Sequence, residues 1–307
     1  MKAVSAAGME LTLGDPIGAG GLADVLAAEH RILPGVSRPV VVKRLKAEHR
    51  GDPELELMLV DEARVLACLN HPHVVQLLDV IDMNGSPGLV FERVDGWSLR
   101  ELMQRAEQRG YPQLPANAAA TVMQAVVEAL GYVHAAADDT GRHLAIVHRD
   151  LNPNNVLISR HGAVRLIDFG IARSEVRVYE TATGTMKGTC GYMAPEQLDP
   201  GKPQDHRVDL FAFGVLFSEV MFGHHPFVAA SHIELYDRIS SGKREPLPEA
   251  TPAFARLHEL VERCMQWDAA QRPADAWEIA RELPGAFAQA GIEPAMCHLA
   301  GLMHALT

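Results

Sequence analysis

Three polar side chains in the middle of the chain are of types that can bind a divalent cation. Asp150 is followed five residues later by Asn155, and Asp168 precedes Phe169 and Gly170. Carboxylate and amide oxygens are hard ligands of the kind that Mg2+ prefers. The alternative is that these Asp and Asn side chains only cap turns, as they often do.

A glycine-rich segment near the N-terminus is suited to lie against phosphate groups. Gly18, Gly20 and Gly21 fall within four consecutive positions, and a glycine-rich turn lets backbone N–H groups approach phosphate oxygens. On its own such a segment is also typical of an ordinary hairpin turn. Lys43 directly follows the apolar run 40–42. If it is buried like that run, a lysine without a partner would be costly.

The elements that must position these residues begin with a mostly β-structured part. Residues 11–45 are predicted to form two strands joined by the glycine-rich turn. Residues 52–69 are predicted to form a helix because their apolar side chains recur at helical spacing. Two more strands, at 74–80 and 88–94, flank the turn at Asn84 and Gly85.

After Gly96 the chain is predicted to be mainly helical. Ser98 can cap the first of these helices, because Glu101 three residues on completes a capping box. Pro284 is expected to end the last long helix, and the apolar segment 298–306 can form one more short helix. The predicted helices cover 98–109, 116–137, 218–222, 233–240, 253–267 and 274–283.

Composition excludes several classes of protein. The 307 residues contain 28 Lys and Arg against 39 Asp and Glu, so the net charge is −11 and a general nucleic-acid-binding surface is not expected. Apolar runs are shorter than the roughly 20 residues of a membrane span. The four cysteines lack CxxC spacing, which argues against a zinc site and against a disulfide framework. We therefore expect a soluble cytoplasmic protein with no nucleic-acid partner.

Five segments together resemble the motifs of Hanks-type, or eukaryotic-like, serine/threonine protein kinases, with a texture similar to the bacterial branch. The resemblance covers about residues 11–283. It depends on the order and spacing of the segments more than on any one of them. The segments are the glycine-rich turn from Gly18, Lys43, His148-Arg-Asp150 through Asn155, Asp168-Phe-Gly170, and Ala194-Pro-Glu196.

The resemblance implies an α+β, bilobal protein-kinase fold. A small antiparallel β-sheet lobe plus one helix would span 11–94 and bind ATP. A larger, mainly helical lobe would span 95–283 and carry the catalytic loop and the activation segment. Residues 1–10 would form an N-terminal extension and 284–307 a C-terminal tail. The implied reaction uses ATP with Mg2+, or alternatively Mn2+, to phosphorylate Ser or Thr hydroxyls of a protein substrate, the chain itself included.

The resemblance also assigns the catalytic roles. Asp150 would orient the acceptor hydroxyl, while Asn155 and Asp168 would hold the metal. Lys43 would contact the α- and β-phosphates and pair with Glu62 on the predicted helix, although a solvated surface ion pair is the alternative. The other implied ATP-binding positions are Ile17, Gly18, Ala19, Gly20, Gly21, Val25, Val41, Phe91 as gatekeeper, Glu92, Val94 and Leu157.

Other positions carry structural or regulatory expectations. Phosphate on Thr181, Thr183 or Thr185 in the activation segment would pair with Arg149, and a flexible polar loop is the alternative. A buried ion pair is implied between two distant residues of the larger lobe. The residues expected to serve structure are His148, Arg149, Phe169, Thr189, Glu196, Asp209 and Arg272, with Glu196 and Arg272 forming that pair and Asp209 holding the catalytic-loop backbone.

The chain departs from the family pattern at three places. Asn152 stands where serine/threonine kinases usually have a lysine that contacts the γ-phosphate, and a missing positive charge there could slow transfer strongly. Ala23 replaces the third glycine, and 135–146 is longer than the usual link before His148. Asn152 and Ala23 motivate a second hypothesis, a pseudokinase scaffold that binds ATP with little or no transfer. A small-molecule kinase is a third, opposed by the segment ending in Glu196.

Overall fold

The computed structural model describes residues 2–4, 8–138, 140–169, 190–199 and 201–307. The chain divides into two compact units, Met1–Val94 and Asp95–Thr307. The first unit combines a sheet with one α-helix among its described residues, and the second is mainly helical. This composition is that of the expected α+β fold.

The first unit contains a six-stranded antiparallel sheet in the order β1-β2-β3-β4-β6-β5. Because Lys2 pairs with Thr12, β1 adds an edge strand within the expected N-terminal extension. The predicted strands at 74–80 and 88–94 are each shifted by a few residues. The strands are β1 (Lys2–Val4), β2 (Glu10–Ala19), β3 (Ala23–Leu33), β4 (Val36–Leu45), β5 (Leu77–Asp82) and β6 (Pro87–Glu92).

Strand β4 shows how this sheet separates its core from its polar face. Val40 and Val42 are fully buried, and because side chains alternate along a strand, Val41 and Lys43 point to the opposite face. Helix α1 (Pro53–Ala67) covers that face. Asp52 caps its first turn, because the Asp52 carboxylate accepts hydrogen bonds from backbone N–H groups of that same turn.

The second unit is built around helices and a small sheet. Three antiparallel strands, β7 (Gly96–Ser98), β8 (Val156–Ser159) and β9 (Val164–Leu166), pair in that order. Short 3-10 turns lie at Pro153–Asn155, Cys190–Tyr192 and Pro195–Leu198. The helices are α2 (Leu99–Gln108), α3 (Ala116–His134), α4 (Arg207–Phe222), α5 (His232–Ser240), α6 (Ala255–Cys264), α7 (Ala276–Gln289) and α8 (Met296–Leu306).

Local sequence explains several helix boundaries and contacts. The predicted capping box is confirmed. Ser98 Oγ accepts the Glu101 N–H at 3.2 Å, and the Glu101 carboxylate accepts the Ser98 N–H at 2.9 Å. Helix α3 approaches α7 closely at Gly131, where a Cβ atom would lie 2.7 Å from the ring of Trp277. Alanine and glycine on α3 therefore permit tight helix packing.

Two helix predictions were wrong in their extent. Helix α4 starts at Arg207 and not at Ser218. The prediction missed its first part because nearly all sides of this helix are buried, so the sequence lacks the amphipathic period that marks a surface helix. Helix α7 continues through Pro284 to Gln289. An internal proline costs about 3 kcal/mol, but the helix beyond it buries Ala286 and Phe287, which favours continuation.

The C-terminal residues are part of the second unit and not a free tail. Helix α8 packs against α3, and its Leu299, Leu302, Met303 and Leu306 are buried. The Ala295 N–H also donates to Thr121 Oγ1 of α3 at 2.9 Å. These contacts anchor the C-terminal segment within the second unit.

The long link before His148 forms a hairpin-like turn in its described residues. Ala137 and His143 form an isolated bridge, and Ala145 adopts a left-handed φ of 48° that interrupts extended structure. The Asp138 carboxylate accepts hydrogen bonds from the Thr140 hydroxyl and its neighbours, which lowers its pKa. Among the described helices, none combines the length and apolar character that crossing a membrane requires.

Candidate functional site

Lys43 of β4 and Glu62 of α1 form an ion pair within the first unit. Lys43 Nζ lies 2.7 Å from Glu62 Oε1 and 3.0 Å from Oε2. Their side chains are 18% and 4% exposed, so this is not the solvated surface pair considered as the alternative. A buried carboxylate next to the lysine offsets the cost of burying the ammonium group and fixes where its charge lies.

The glycine-rich segment is the hairpin between β2 and β3. Gly18 pairs with Val25 across the hairpin, and the Gly20 N–H donates to the Ala23 carbonyl at 2.8 Å. Ala23, the departure from the third glycine, starts β3 and pairs with Leu45. An extended strand position does not require glycine, which explains why alanine fits there. Gly21 and Ile17 are exposed.

Other expected ATP-binding residues of the first unit lie on adjacent strands. Val41 of β4 pairs directly with Phe91 of β6, and Phe91 is buried. The Glu92 N–H donates to the Gln76 carbonyl at 3.1 Å, so this N–H is committed within the first unit. Val94 is the last residue of that unit. Nothing is described of the Ala19 side chain.

Leu157, the remaining expected ATP-binding residue, lies in the second unit. It is half-buried on β8 and pairs with Ser98 of β7 and Arg165 of β9.

His148 connects the 148–155 loop of the second unit to the segment that carries Asp168. Its Nδ1 accepts the Asp150 N–H at 3.2 Å, and its Nε2 lies 3.0 Å from the Ile167 carbonyl. These two bonds require the neutral tautomer with the proton on Nε2. Burial lowers the pKa of His148, which keeps the ring neutral. Its ring also packs 4.8 Å from that of Phe169.

Asp209 of α4 fixes the start of the same loop. Its carboxylate accepts the backbone N–H groups of His148 and Arg149, each at 2.7 Å. Arg149 has a left-handed φ of 63°, a conformation that a non-glycine residue rarely adopts without such support. Burial alone would raise the pKa of Asp209, but the hydrogen bond and charge of His134, 2.8 Å away, lower it.

Asp150 and Asn155 are held together at the centre of this loop. Asn155 Nδ2 donates to the Asp150 carbonyl and to Asp150 Oδ2, each at 2.8 Å. Both residues are buried. The Ile167 N–H donates to the Asn155 carbonyl at 2.9 Å, which brings the start of the Asp168 segment next to Asn155.

Asn155 and Asp168 fit the binding of a hard divalent cation. Because Asn155 Nδ2 is turned to Asp150, its Oδ1 is the amide oxygen left for a ligand role. Asp168 adopts a left-handed φ of 54° directly after the segment bonded to Asn155. The described part of the chain contains no cluster of three or more His, Cys, Asp or Glu side chains suited to a metal. Few protein ligands are typical of Mg2+, which keeps water and phosphate oxygens.

Asn152 is bonded within its own loop. Its Nδ2 donates to the Asp150 carbonyl at 2.9 Å, and its Oδ1 accepts the Asn154 N–H at 2.9 Å and Asn154 Nδ2 at 3.1 Å. The residue is 2% exposed. The sequence presented this residue only as the replacement of a lysine, whereas the structure gives it a local partner at each end of the amide.

The expected pair of Glu196 and Arg272 is present and buried. Arg272 Nη1 and Nη2 lie 2.6 and 2.9 Å from the two carboxylate oxygens, a bidentate geometry. Gln197 next to Glu196 donates to the Arg149 carbonyl at 3.0 Å. This contact ties the 195–198 turn to the 148–155 loop and was not anticipated from the sequence.

A second polar cluster escaped the sequence analysis. Arg100 donates to Glu219 Oε1 at 2.8 Å and to the Tyr192 hydroxyl at 2.6 Å, and that hydroxyl donates to Glu219. Burial, followed by the nearby Glu219 charge, raises the pKa of Tyr192 well above its usual value. No local pattern could reveal the cluster, because Arg100 and Tyr192 are 92 residues apart.

The expected regulatory positions lie outside the described residues. Thr181, Thr183 and Thr185 fall within 170–189, as does Thr189, which was expected to serve structure.

The chain is similar to one described protein family and to several bacterial proteins over most of its length. The family model described as "Protein kinase domain" matches residues 11–283. Tyrosine-protein kinase MasK of Myxococcus xanthus is 32% identical over 85% of this chain and 40% of its own length. Serine/threonine-protein kinase PknL of Mycobacterium tuberculosis is 32% identical over 79% of this chain and 56% of its own length. The probable serine/threonine-protein kinase SCO3848 of Streptomyces coelicolor is 36% identical over 78% and 35%. The chain thus spans about half or less of the length of these relatives.

Proposed function

This chain belongs to the protein kinase domain family, and we propose that it transfers the γ-phosphoryl group of ATP to serine or threonine hydroxyls of proteins, the chain itself included. The observation that carries the proposal is the buried contact between Asp150 and Asn155. It joins the expected hydroxyl-orienting carboxylate to an expected metal ligand within one loop. The residues 11–94 would serve as the ATP-binding lobe and 95–283 as the catalytic lobe.

Asp150 would receive the acceptor hydroxyl. One carboxylate oxygen is fixed by Asn155 Nδ2, which limits rotation of the carboxylate and so favours one direction for the incoming hydroxyl. The hydroxyl oxygen forms the new bond to the γ-phosphorus while the bond to the ADP oxygen breaks. The hydroxyl proton passes to Asp150 in the course of transfer.

Lys43, Asn155 and Asp168 would align the nucleotide. The Lys43 ammonium, held by Glu62, would contact the α- and β-phosphates. Asn155 and Asp168 would hold Mg2+, with Mn2+ as the alternative ion. The bound metal supplies positive charge that neutralises the phosphate oxygens during transfer. The glycine-rich hairpin and the other expected ATP-binding residues, such as Val41, Phe91 and Leu157, would contact the rest of ATP.

The relatives differ in the acceptor residue that their names give. PknL and SCO3848 are named as serine/threonine kinases and MasK as a tyrosine kinase. Thr189 matches the threonine that is typical of serine/threonine kinases, which favours serine or threonine as the acceptor. The relatives reported above are all named as kinases, so they lend no support to the scaffold hypothesis. Phosphorylation of Thr181, Thr183 or Thr185, paired with Arg149, would regulate the activity.

Label transfer tests the proposal. The protein is incubated with γ-labelled ATP, Mg2+ and a generic basic protein, and labelled residues are identified after acid hydrolysis. A preparation carrying Asp150→Asn serves as the blank for contaminating kinases. Phosphoserine or phosphothreonine above the blank supports the proposal. Phosphotyrosine alone, or no label from a protein that binds ATP, contradicts it.

A further inference from the structure

The side chain of Asn152 acts on the loop that contains it. An amide group offers two N–H donors and an oxygen with two acceptor sites. Three of these four capacities are used within 150–154, by the Asp150 carbonyl and by two groups of Asn154. The burial of Asn152 makes these bonds valuable, since a buried polar group without a partner is costly.

Two of these bonds build the start of the Pro153–Asn155 turn. Asn152 is the N-cap residue of that turn, and its Oδ1 accepts the Asn154 N–H, a donor that the turn itself cannot satisfy. The last residue of the turn is Asn155, whose side chain bonds to Asp150. The cap therefore lies between the two functional residues and fixes the backbone that joins them.

The Asp150 carbonyl reinforces this arrangement. It accepts one N–H from Asn152 Nδ2 at 2.9 Å and one from Asn155 Nδ2 at 2.8 Å. Both amides thus donate to the same backbone oxygen, that of Asp150 itself. A change at Asn152 alters the same small network that holds Asn155.

We propose that Asn152 is a positioning residue that sets the geometry of Asp150 and Asn155, and is not a neutral stand-in for a phosphate-contacting lysine. The inference rests on the proposed kinase function. A lysine has three N–H donors and no acceptor, so Asn152→Lys would remove the acceptor of the Asn154 N–H. It would also bring an ammonium group into a buried site.

The two roles predict opposite orders of activity among variants. A positioning role predicts that Asn152→Ser, which keeps an acceptor oxygen suited to an N-cap, retains kcat within about threefold of the wild type. Asn152→Lys should lower kcat at least about tenfold, or about 1.4 kcal/mol in activation free energy. A phosphate-contacting role predicts that Asn152→Lys matches or exceeds the wild type.

Separate measurement of kcat and of the KM for ATP distinguishes a positioning effect of the Asn152 variants from a loss of folding. Asn152→Lys is expected to leave the KM for ATP within about twofold, because a change confined to the transition state lowers kcat alone. Gln104→Lys adds the same charge on an exposed position of α2 and should leave kcat unchanged within about twofold, as surface substitutions usually do. Thermal unfolding of each variant shows whether it is folded.

If Asn152→Lys does not fold, Asn152→Ala provides the comparison. Alanine also lacks the acceptor but adds neither charge nor bulk. We expect Asn152→Ala to have a kcat at least about fivefold below Asn152→Ser, within the usual range for loss of a cap. Equal kcat values for these two variants would overturn the proposal.

Hydrogen exchange provides a readout that needs no kinase activity. The Asn154 amide should exchange slowly in the wild type and in Asn152→Ser, and faster in Asn152→Ala and Asn152→Lys, because its acceptor is missing there. Unchanged exchange in Asn152→Ala would contradict the cap. A wild type without transfer activity but with the expected exchange pattern would remove the proposed function and leave the local geometry intact, so the two failures can be told apart.

Discussion

Asn155 directs one side-chain nitrogen to two oxygens of Asp150, the backbone carbonyl and carboxylate Oδ2, each 2.8 Å away. The contact orients both partners at once. It limits the directions open to the Asp150 carboxylate, and it turns the Asn155 amide oxygen away from Asp150. In the proposed function, a single asparagine would thereby couple hydroxyl orientation to metal binding.

Removal of this asparagine should impair both functions. Asn155→Ala is expected to lower kcat about 100-fold or more, in the range for one electrostatic or orienting group in an active site. It should also raise the Mg2+ concentration needed for half-maximal activity. Steady-state rates over a Mg2+ titration measure both effects. Gln104→Ala, an exposed change on α2, is the control, and equal rates for the two variants would contradict the prediction.

The pair of Lys43 and Glu62 should be strongly coupled in stability. Lys43→Met removes the ammonium group from a carboxylate that is 4% exposed and should lower the free energy of unfolding by about 3 kcal/mol. The double variant Lys43→Met, Glu62→Leu should recover much of the loss, because no charge remains buried. Urea unfolding of the wild type, both single variants and the double variant completes the cycle. Additive single effects would disprove the coupling.

Stability should fall as pH drops below 6.5, the ordinary pKa of histidine. Burial lowers the pKa of His148 in the folded chain, so the unfolded chain binds the proton more readily, and stability present above pH 6.5 is lost as pH falls through the lower, folded pKa. His225 and His258, whose pKa values burial also lowers, act in the same direction.

His148→Gln isolates the contribution of His148. The variant should show a shallower decline of unfolding free energy between pH 7 and the acid side of the folded pKa, although its stability at neutral pH is lower. Denaturant unfolding at a series of pH values gives both slopes. Parallel curves for the variant and the wild type would show that His148 contributes nothing to the pH dependence.

The C-terminal helix should contribute to the stability of the second unit. Leu299 of α8 is fully buried, and Leu299→Ala should lower the free energy of unfolding by about 2–5 kcal/mol through lost burial and cavity formation. Met296→Ala, at the exposed start of the same helix, should change it by no more than about 0.5 kcal/mol. Similar effects of the two substitutions in denaturant unfolding would contradict the packing of α8.

The sequence predicted the fold where local signals and motif spacing agreed. The capping box at Ser98 and Glu101 marked the start of α2 correctly, since both partners lie within one turn. Pro284 was misjudged because proline is a local signal for a helix end, whereas the burial of Phe287 beyond it is a tertiary effect. The start of α4 was missed because a helix buried on nearly all sides has no amphipathic period.

For the candidate site, too, motif signals gave correct predictions and tertiary contacts were missed. Family spacing led to Lys43, Glu62 and Asp150, because motif order carries that information. It could not give the role of Asn152, since a substitution in a motif says which group is absent and not which bonds the new side chain makes. The cluster of Arg100 and Tyr192 was also beyond reach, because its members meet only in the folded chain.

The central claim is that Asp150 receives the acceptor hydroxyl during phosphoryl transfer. Its most direct test is single-turnover transfer from γ-labelled ATP by the wild type, by Asp150→Asn, and by Asp95→Asn, the same change at an exposed surface ion pair with Arg160. We expect Asp95→Asn to match the wild type. Asp150→Asn should bind ATP as the wild type does and transfer at least about 100-fold more slowly. Transfer by Asp150→Asn at the wild-type rate would contradict the account.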